Sequence, residues 1–260
     1  MTKSIVISQP MFFPWIGLME QVRLADVFVH YDDVQFSKGS FFNRVQIKTA
    51  TGVKWMTVPV QHNGLSTDIN QTPLDDATNW RASHLGQLKG AYQKAPYLKD
   101  VLELVEMVYA VPSGNLAELS IRSIEALANY LDLSKDTSFI RSSSLNIGGQ
   151  STQRVLDIVK QLNGDVYVTG HGARHYFNHD LLERDGIRTE YVDYKLTSYP
   201  QLHGDFTPYV STLDAIASLG REAKSLLVSP GLYWKDFLIR AGLPILPFDD
   251  KSFLEQRTAA

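Results

Sequence analysis

"SIVISQPMFFPWIGLMEQVRLADVFVHY", residues 4–31, decides the fold. Its first five residues are rich in β-branched side chains and stop before Pro10, so they read as a short buried strand. "IGLMEQVRL" (16–24) reads as a short helix and "ADVFVHY" (25–31) as a second strand. A strand, a helix and a strand in that order form a βαβ unit with its strands parallel. Between the first strand and the helix lies "SQPMFFPWIG" (8–17), an apolar cluster that must cover a core or wall a site. Pro10 and Pro14 fix φ and stiffen this turn. It leaves the carboxyl end of a parallel strand, the edge at which open α/β sheets bind ligands. Phe13 and Trp15 are therefore expected to pack on the core and face a ligand. Gln9 is the polar group of the stretch.

Outward from this unit the rhythm continues. "NRVQIKT" (43–49) and "KWMTVPV" (54–60) read as two strands of a hairpin turning at Thr51-Gly52. Residues 78–131 change character: three stretches carry apolar residues at helical spacing, separated by Pro96 and by Pro112-Ser-Gly. Then "TSFIRSSSL" (137–145) is a strand. "STQRVLDIVKQLNG" (151–164) is a helix with Ser151 or Thr152 as N-cap and Gly164 as stop. "DVYVTG" (165–170) is a strand, "NHDLLERDG" (178–186) a helix, "IRTEYVDY" (187–194) a strand, and "STLDAIASLG" (211–220) and "LYWKDFLIRAG" (232–242) are helices. This alternation predicts an α/β protein with a central, mostly parallel, Rossmann-like sheet. The chain, 1–260, reads as a single α/β domain with a helical lobe inserted at about 75–133.

With 260 residues the chain can bury a sizeable core. No apolar run reaches the ~18 residues a membrane helix needs, and the N-terminus has no signal-peptide pattern. There are no cysteines, which excludes disulfides, thiolate metal sites and a cysteine nucleophile and suits a cytoplasmic location. The net charge of -3 supplies no overall field to draw nucleic acid or anionic lipid.

Several residues are more polar than their setting requires. Asp32 and Asp33 follow the second strand. Adjacent carboxylates repel unless cations or hydrogen bonds offset them, so the pair points to a site as well as to a turn. Lys38, Arg44 and Lys48 could supply those cations, or hold phosphates. Phe42 beside Asn43-Arg44 mixes an aromatic face with donors, a combination that holds a base or a sugar. His62 leaves a strand into a loop, where an imidazole can act as a general base. His171, His175 and His179 recur every four residues, as ligands on a helix face would. Gly170 and Gly172 interrupt that helix and no HExxH pattern is present, so no metal is expected. Gly170-His171-Gly172 reads instead as a loop at a strand end, whose free N–H groups can bind an anion while His171 bonds a ligand. His175 and His179 read as surface or cap residues. Tyr199 and Gln201 belong to a turn-rich segment whose amide and phenol groups suit hydroxyl-rich ligands.

"QPMFFPWIGLMEQVRLADVFVHYDDVQFSKGSFFNRVQIKTATGVKWMTVPV" (9–60), "YVTGHGARHYF" (167–177) and "YPQLHGDFTPYVSTLDAIASLG" (199–220) together resemble the WbqC-like protein family. The shared words include Gln9, Trp15, Asp33, Asn43, Arg44, Lys48, His171, Tyr199 and Gln201. The resemblance implies a role in making O-antigen and other surface polysaccharides (lipopolysaccharide). It suggests a cytoplasmic transferase that places an acyl or aminoacyl group, such as glycyl, on the amine of a nucleotide-linked amino sugar. His171, Asp33 or His62 would take the amine proton and Gly170 to Gly172 would stabilise the oxyanion. Arg44, Lys48 or Lys38 would hold the diphosphate, with Trp15 or Phe42 on the base. The donor is left open among aminoacyl-tRNA, a carrier protein, coenzyme A and a free acid with ATP, and so is the oligomeric state.

The opening strand, turn and helix also resemble those of nucleotidylyltransferases, in which F-x-P-x-H-x-G-H leads into the helix. Here Trp15 and Leu18 occupy the region of the two histidines, and the spacing to Gly17 is one residue shorter. That likeness implies a nucleotide-binding fold, and as an alternative nucleotidyl transfer with Mg²⁺ on Asp32 or Asp33. A non-catalytic protein that binds a sugar nucleotide is the third reading.

Overall fold

The computed structural model describes residues 2–37, 39–61 and 67–245. Lys38 and His62 lie outside the described residues. Five parallel strands form the centre: β1 (Ser4–Ser8), β2 (Val27–His30), β5 (Ser138–Arg141), β6 (Val166–Thr169) and β7 (Arg188–Val192). Their order is β5-β2-β1-β6-β7, and a short antiparallel strand, β8 (Gly231–Tyr233), closes the β7 edge. The expected α/β architecture with a mostly parallel sheet is therefore found. β3 (Arg44–Thr49) and β4 (Gly52–Thr57) form a separate antiparallel hairpin turning at Thr51, as expected.

β1 and β2 read as apolar runs because both faces of the sheet are covered there. Val6, Phe28, Val168 and Val192 point to one face, with α1 (Ile16–Arg23), α4 (Leu116–Tyr130) and α7 (Thr212–Leu219). Ile5, Ile7, Val29, Tyr167 and Tyr191 point to the other, with α5 (Ser151–Gln161), α6 (His179–Arg184) and α8 (Trp234–Arg240). The period-2 alternation of side chains assigns each residue to its face. The lobe between β4 and β5 consists of α2 (Trp80–Tyr92), α3 (Leu98–Ala110) and α4. Its buried Leu104, Val105 and Ile124 belong to the same apolar cluster as Val6 and Phe28.

Three local expectations change. Leu232 and Tyr233, read as helix, pair as strand with Tyr191 and Glu190, and the helix starts only at Trp234. The β5 strand stops at Arg141 and continues as a 3-10 turn over Ser142–Leu145. Neither Ser151 nor Thr152 caps α5: Gln150 holds the N-cap position, and Thr152 Oγ1 accepts from Asn178 N at 3.1 Å.

Three described histidines, His30, His84 and His179, are buried, and burial shifts the last two. His84 bridges Tyr109 OH (2.8 Å) and Thr57 O (2.9 Å), tying α2 to the end of β4. His179 is not a surface residue: it stacks on Trp234 at 4.3 Å and bonds Tyr191 OH at 2.8 Å. Burial pushes each down to about 4. Between the ordinary histidine value and pH 4 the unfolded chain takes up protons that the folded chain refuses. Stability is thus fully present above about pH 6.5 and falls toward pH 4, by up to ~3 kcal/mol per histidine. The melting temperature should decrease across that window, and His84→Gln should flatten the decrease. Equal slopes in both proteins would remove His84 from the account.

Candidate functional site

In the observed strand order the chain builds outward from β1 through β2 to β5, then returns to place β6 on the other side of β1. The loops leaving β1 and β6 diverge at this reversal, which opens a crevice at the carboxyl ends of the two strands. A cavity of about 880 Å³ lies there, within the usual range for small-molecule sites.

The opening turn divides its labour between core and cavity. Phe12 and Phe13 are fully buried and meet edge to face at 5.0 Å. Phe13 takes a left-handed φ of 37°, a conformation unfavourable for a side chain this large. Its N–H donates to Ser123 Oγ at 2.9 Å and its carbonyl accepts from Ser211 Oγ at 2.7 Å. Pro14 O accepts from Thr212 N and Oγ1. These bonds offset the strain. Trp15, in contrast, lines the cavity, between Tyr194 (5.0 Å) and Tyr209 (5.6 Å). Its ring lies over Gly17, where a Cβ would come within 2.2 Å of the indole. Gly17 therefore sets the seat of the tryptophan.

Of the residues singled out from sequence, Gln9, Trp15, Asp33, Gly170, His171 and Gly172 line this cavity. His171 starts a 3-10 turn, His171–His175, directly after β6. Its Nε2–H donates to Val192 O at 2.8 Å. A carbonyl can only accept, so in the neutral ring the proton resides on Nε2 and Nδ1 keeps its lone pair. Asp33 Oδ2 pairs with Arg154 Nη2 at 2.5 Å, and its Oδ1 accepts from Ser142 Oγ.

The other candidates lie away from the cavity lining. Asp32 is buried and accepts from Ser143 N (3.0 Å) and Ser143 Oγ (2.8 Å), while its N–H donates to Ser142 Oγ (3.2 Å), which fastens the turn after β5. Phe13 and Phe42 are core. Asn43 Nδ2 donates to Val58 O at 2.9 Å. Arg44 lies 4.2 Å over the Trp55 ring and donates to Gly39 O. Lys48, expected to hold phosphate, is buried with its ammonium bonded to Gln201 Oε1 (3.0 Å), Gly204 O (3.2 Å) and Asp205 O. Tyr199 donates to Asp214 Oδ1 at 2.9 Å and accepts from Gln201 Nε2 at 2.9 Å. Burial raises the Asp214 carboxyl above its usual range. Lys48, Tyr199 and Gln201 thus form one buried network that locks the 199–209 segment onto β3.

The cavity also contains residues the sequence reading passed over. Gly149, Gln150 and Ser151 bring the start of α5 into its wall, with Arg154 one turn on. The Arg154 guanidinium donates to Asp33 and Ile147 O and lies 4.8 Å from the Tyr31 ring. The signal was present as "GGQS", glycines at a helix start with free N–H groups. Gln21 and Tyr194 also line the cavity, joined by a 2.8 Å hydrogen bond. They sit on a helix face and beyond a strand end, and no local pattern marks them as polar partners.

Among the described residues no group of three or more His, Asp and Glu is arranged to hold a metal ion, and no helix is long and apolar enough to cross a membrane.

Fold and cavity together define a doubly wound α/β protein with a cavity at the reversal of its strand order. The WbqC-like protein family matches residues 9–226, and the chain belongs to that family. It is similar to Rv1507c of Mycobacterium tuberculosis (strain ATCC 25618 / H37Rv), described as uncharacterized: 32% identity over 227 residues, covering 86% of this chain and 97% of the other. No solved structure matches.

Proposed function

We propose that the cavity binds a nucleotide-linked amino sugar and that the protein transfers an acyl or aminoacyl group to the sugar amine, in the cytoplasm, for surface polysaccharide synthesis. The observation that carries this reading is His171, which lines the cavity and whose Nε2–H bond to Val192 O leaves Nδ1 with its lone pair. The start of α5 offers N–H donors to a diphosphate. Trp15 and Tyr209 offer ring faces to a base or sugar. In the transfer, the neutral amine attacks the donor carbonyl and its proton passes to His171 Nδ1. The leaving group departs with the bonding electrons, and its chemistry (tRNA ester, thioester or phosphate) decides whether it needs that proton back.

The test is to incubate the protein with a panel of nucleotide-linked amino sugars and acyl or aminoacyl donors, and to follow the mass of the sugar. A gain equal to one acyl or aminoacyl residue supports the reading. Binding of a sugar nucleotide without turnover across the panel would make the protein a binding module instead. Release of pyrophosphate from a nucleoside triphosphate would favour nucleotidyl transfer.

A further inference from the structure

The cavity differs in chemistry from wall to wall. The α5 start brings N–H groups to its lining, where Arg154 is paired with Asp33. Also in the lining, Tyr194 packs between Trp15 (ring centres 5.0 Å apart) and His171 (4.9 Å). Gln21 Nε2–H donates into the Tyr194 hydroxyl oxygen at 2.8 Å. A phenol carries one hydrogen, and donating to its oxygen leaves that hydrogen to be placed. Among the described residues no acceptor is paired with it, and Tyr194 lines the cavity. Burial pushes the phenol up to about 12, so it keeps its hydrogen throughout the physiological range.

We infer that Tyr194, oriented by Gln21, is a specificity-determining residue that donates its hydroxyl hydrogen to an uncharged oxygen of the sugar, beside the amine that His171 deprotonates. The inference rests on the function proposed above. Its position follows from the contact between the two rings: whatever reaches His171 lies next to the Tyr194 hydroxyl. It also explains Gly170. A Cβ there would stand 3.1 Å from Gln21 Nε2 and 3.2 Å from the Tyr194 oxygen, closer than most Cβ contacts, and would press on the pair from the cavity side. Glycine leaves the hydroxyl open to the ligand.

The experiment compares UDP with UDP-glucosamine as calorimetric probes. Wild-type protein should bind UDP-glucosamine more tightly than UDP, the difference being the contribution of the sugar. Tyr194→Phe keeps the ring packing and removes the hydroxyl, which is both the donor to the ligand and the acceptor for Gln21 Nε2–H. It should lose UDP-glucosamine affinity by roughly 5- to 10-fold with UDP affinity unchanged. Gly170→Ala should show the same selective loss. If Tyr194→Phe binds both probes like wild type, or weakens both equally, the inference is overturned while the proposed function stands. If the wild-type protein binds neither probe, the inference and the proposed function fall together.

Discussion

Replacing His171 by alanine should lower transfer ~10²–10⁴-fold at neutral pH, the usual contribution of a positioned general base. Of the cavity's titratable groups it is the best placed for that role. Nε2 is committed to Val192 O, which fixes the ring and leaves Nδ1 as the basic atom. The ring is further held by Tyr194 and by Phe237 at 4.7 Å. Asp33 is a weaker candidate, because its two oxygens are already occupied by Arg154 and Ser142. The variant should still bind the nucleotide sugar, so the loss should fall on kcat with little change in KM. Retention of wild-type kcat by His171→Ala, with an authentic substrate, would remove the histidine from the chemistry. A parallel rise in KM would assign it to binding.

The second large effect is on stability. Arg154→Met should destabilise the fold by ~3–5 kcal/mol, the usual consequence of removing one member of a buried ion pair. The Arg154 side chain is 7% exposed and Asp33 24%. Without the guanidinium, the Asp33 carboxylate keeps a single hydroxyl partner, and Ile147 O and Asp33 O lose a donor. Arg154→Lys should fail almost as badly, because an ammonium cannot reproduce a planar fork that bonds several acceptors and lies against Tyr31. The double variant Arg154→Met/Asp33→Asn should recover part of the loss, since it removes the unpaired charge as well as the pair. Urea unfolding of wild type, Arg154→Met, Asp33→Asn and the double variant measures the coupling. If all four unfold at the wild-type midpoint, the pair contributes nothing to the native state.

The strands were legible because burial on both faces leaves an unmistakable apolar run, as in Ile5-Val6-Ile7 and Val27-Phe28-Val29. β8 was not: Leu232 and Tyr233 adjoin a true helix, and only their pairing with β7 makes them a strand. The site divided along a similar line. Residues at strand ends, Gln9, Asp33 and His171, were readable because topology alone brings strand ends to the crevice. Arg44, Lys48, Tyr199 and Gln201 looked like binding residues because buried polar networks and ligand sites use the same side chains. Only their partners distinguish the two, and Lys48 and Gln201 find each other across 153 positions. Arg154 escaped notice because, on the helix repeat alone, it reads as one more solvated charge.

Those long-range fastenings bear on how the chain folds. The turn that seats Trp15 is tied by Ser211 and Thr212, each 198 positions away, and the 199–209 segment is tied to β3 by Lys48. Contacts that far apart in sequence carry a high loop-closure cost before they stabilise anything, and they slow folding. We expect the sheet and the lobe to consolidate while Trp15 and Tyr209 are still apart, so that the cavity gains its aromatic wall late in folding. A nascent chain still short of Thr212 would carry most of its sheet and no finished site.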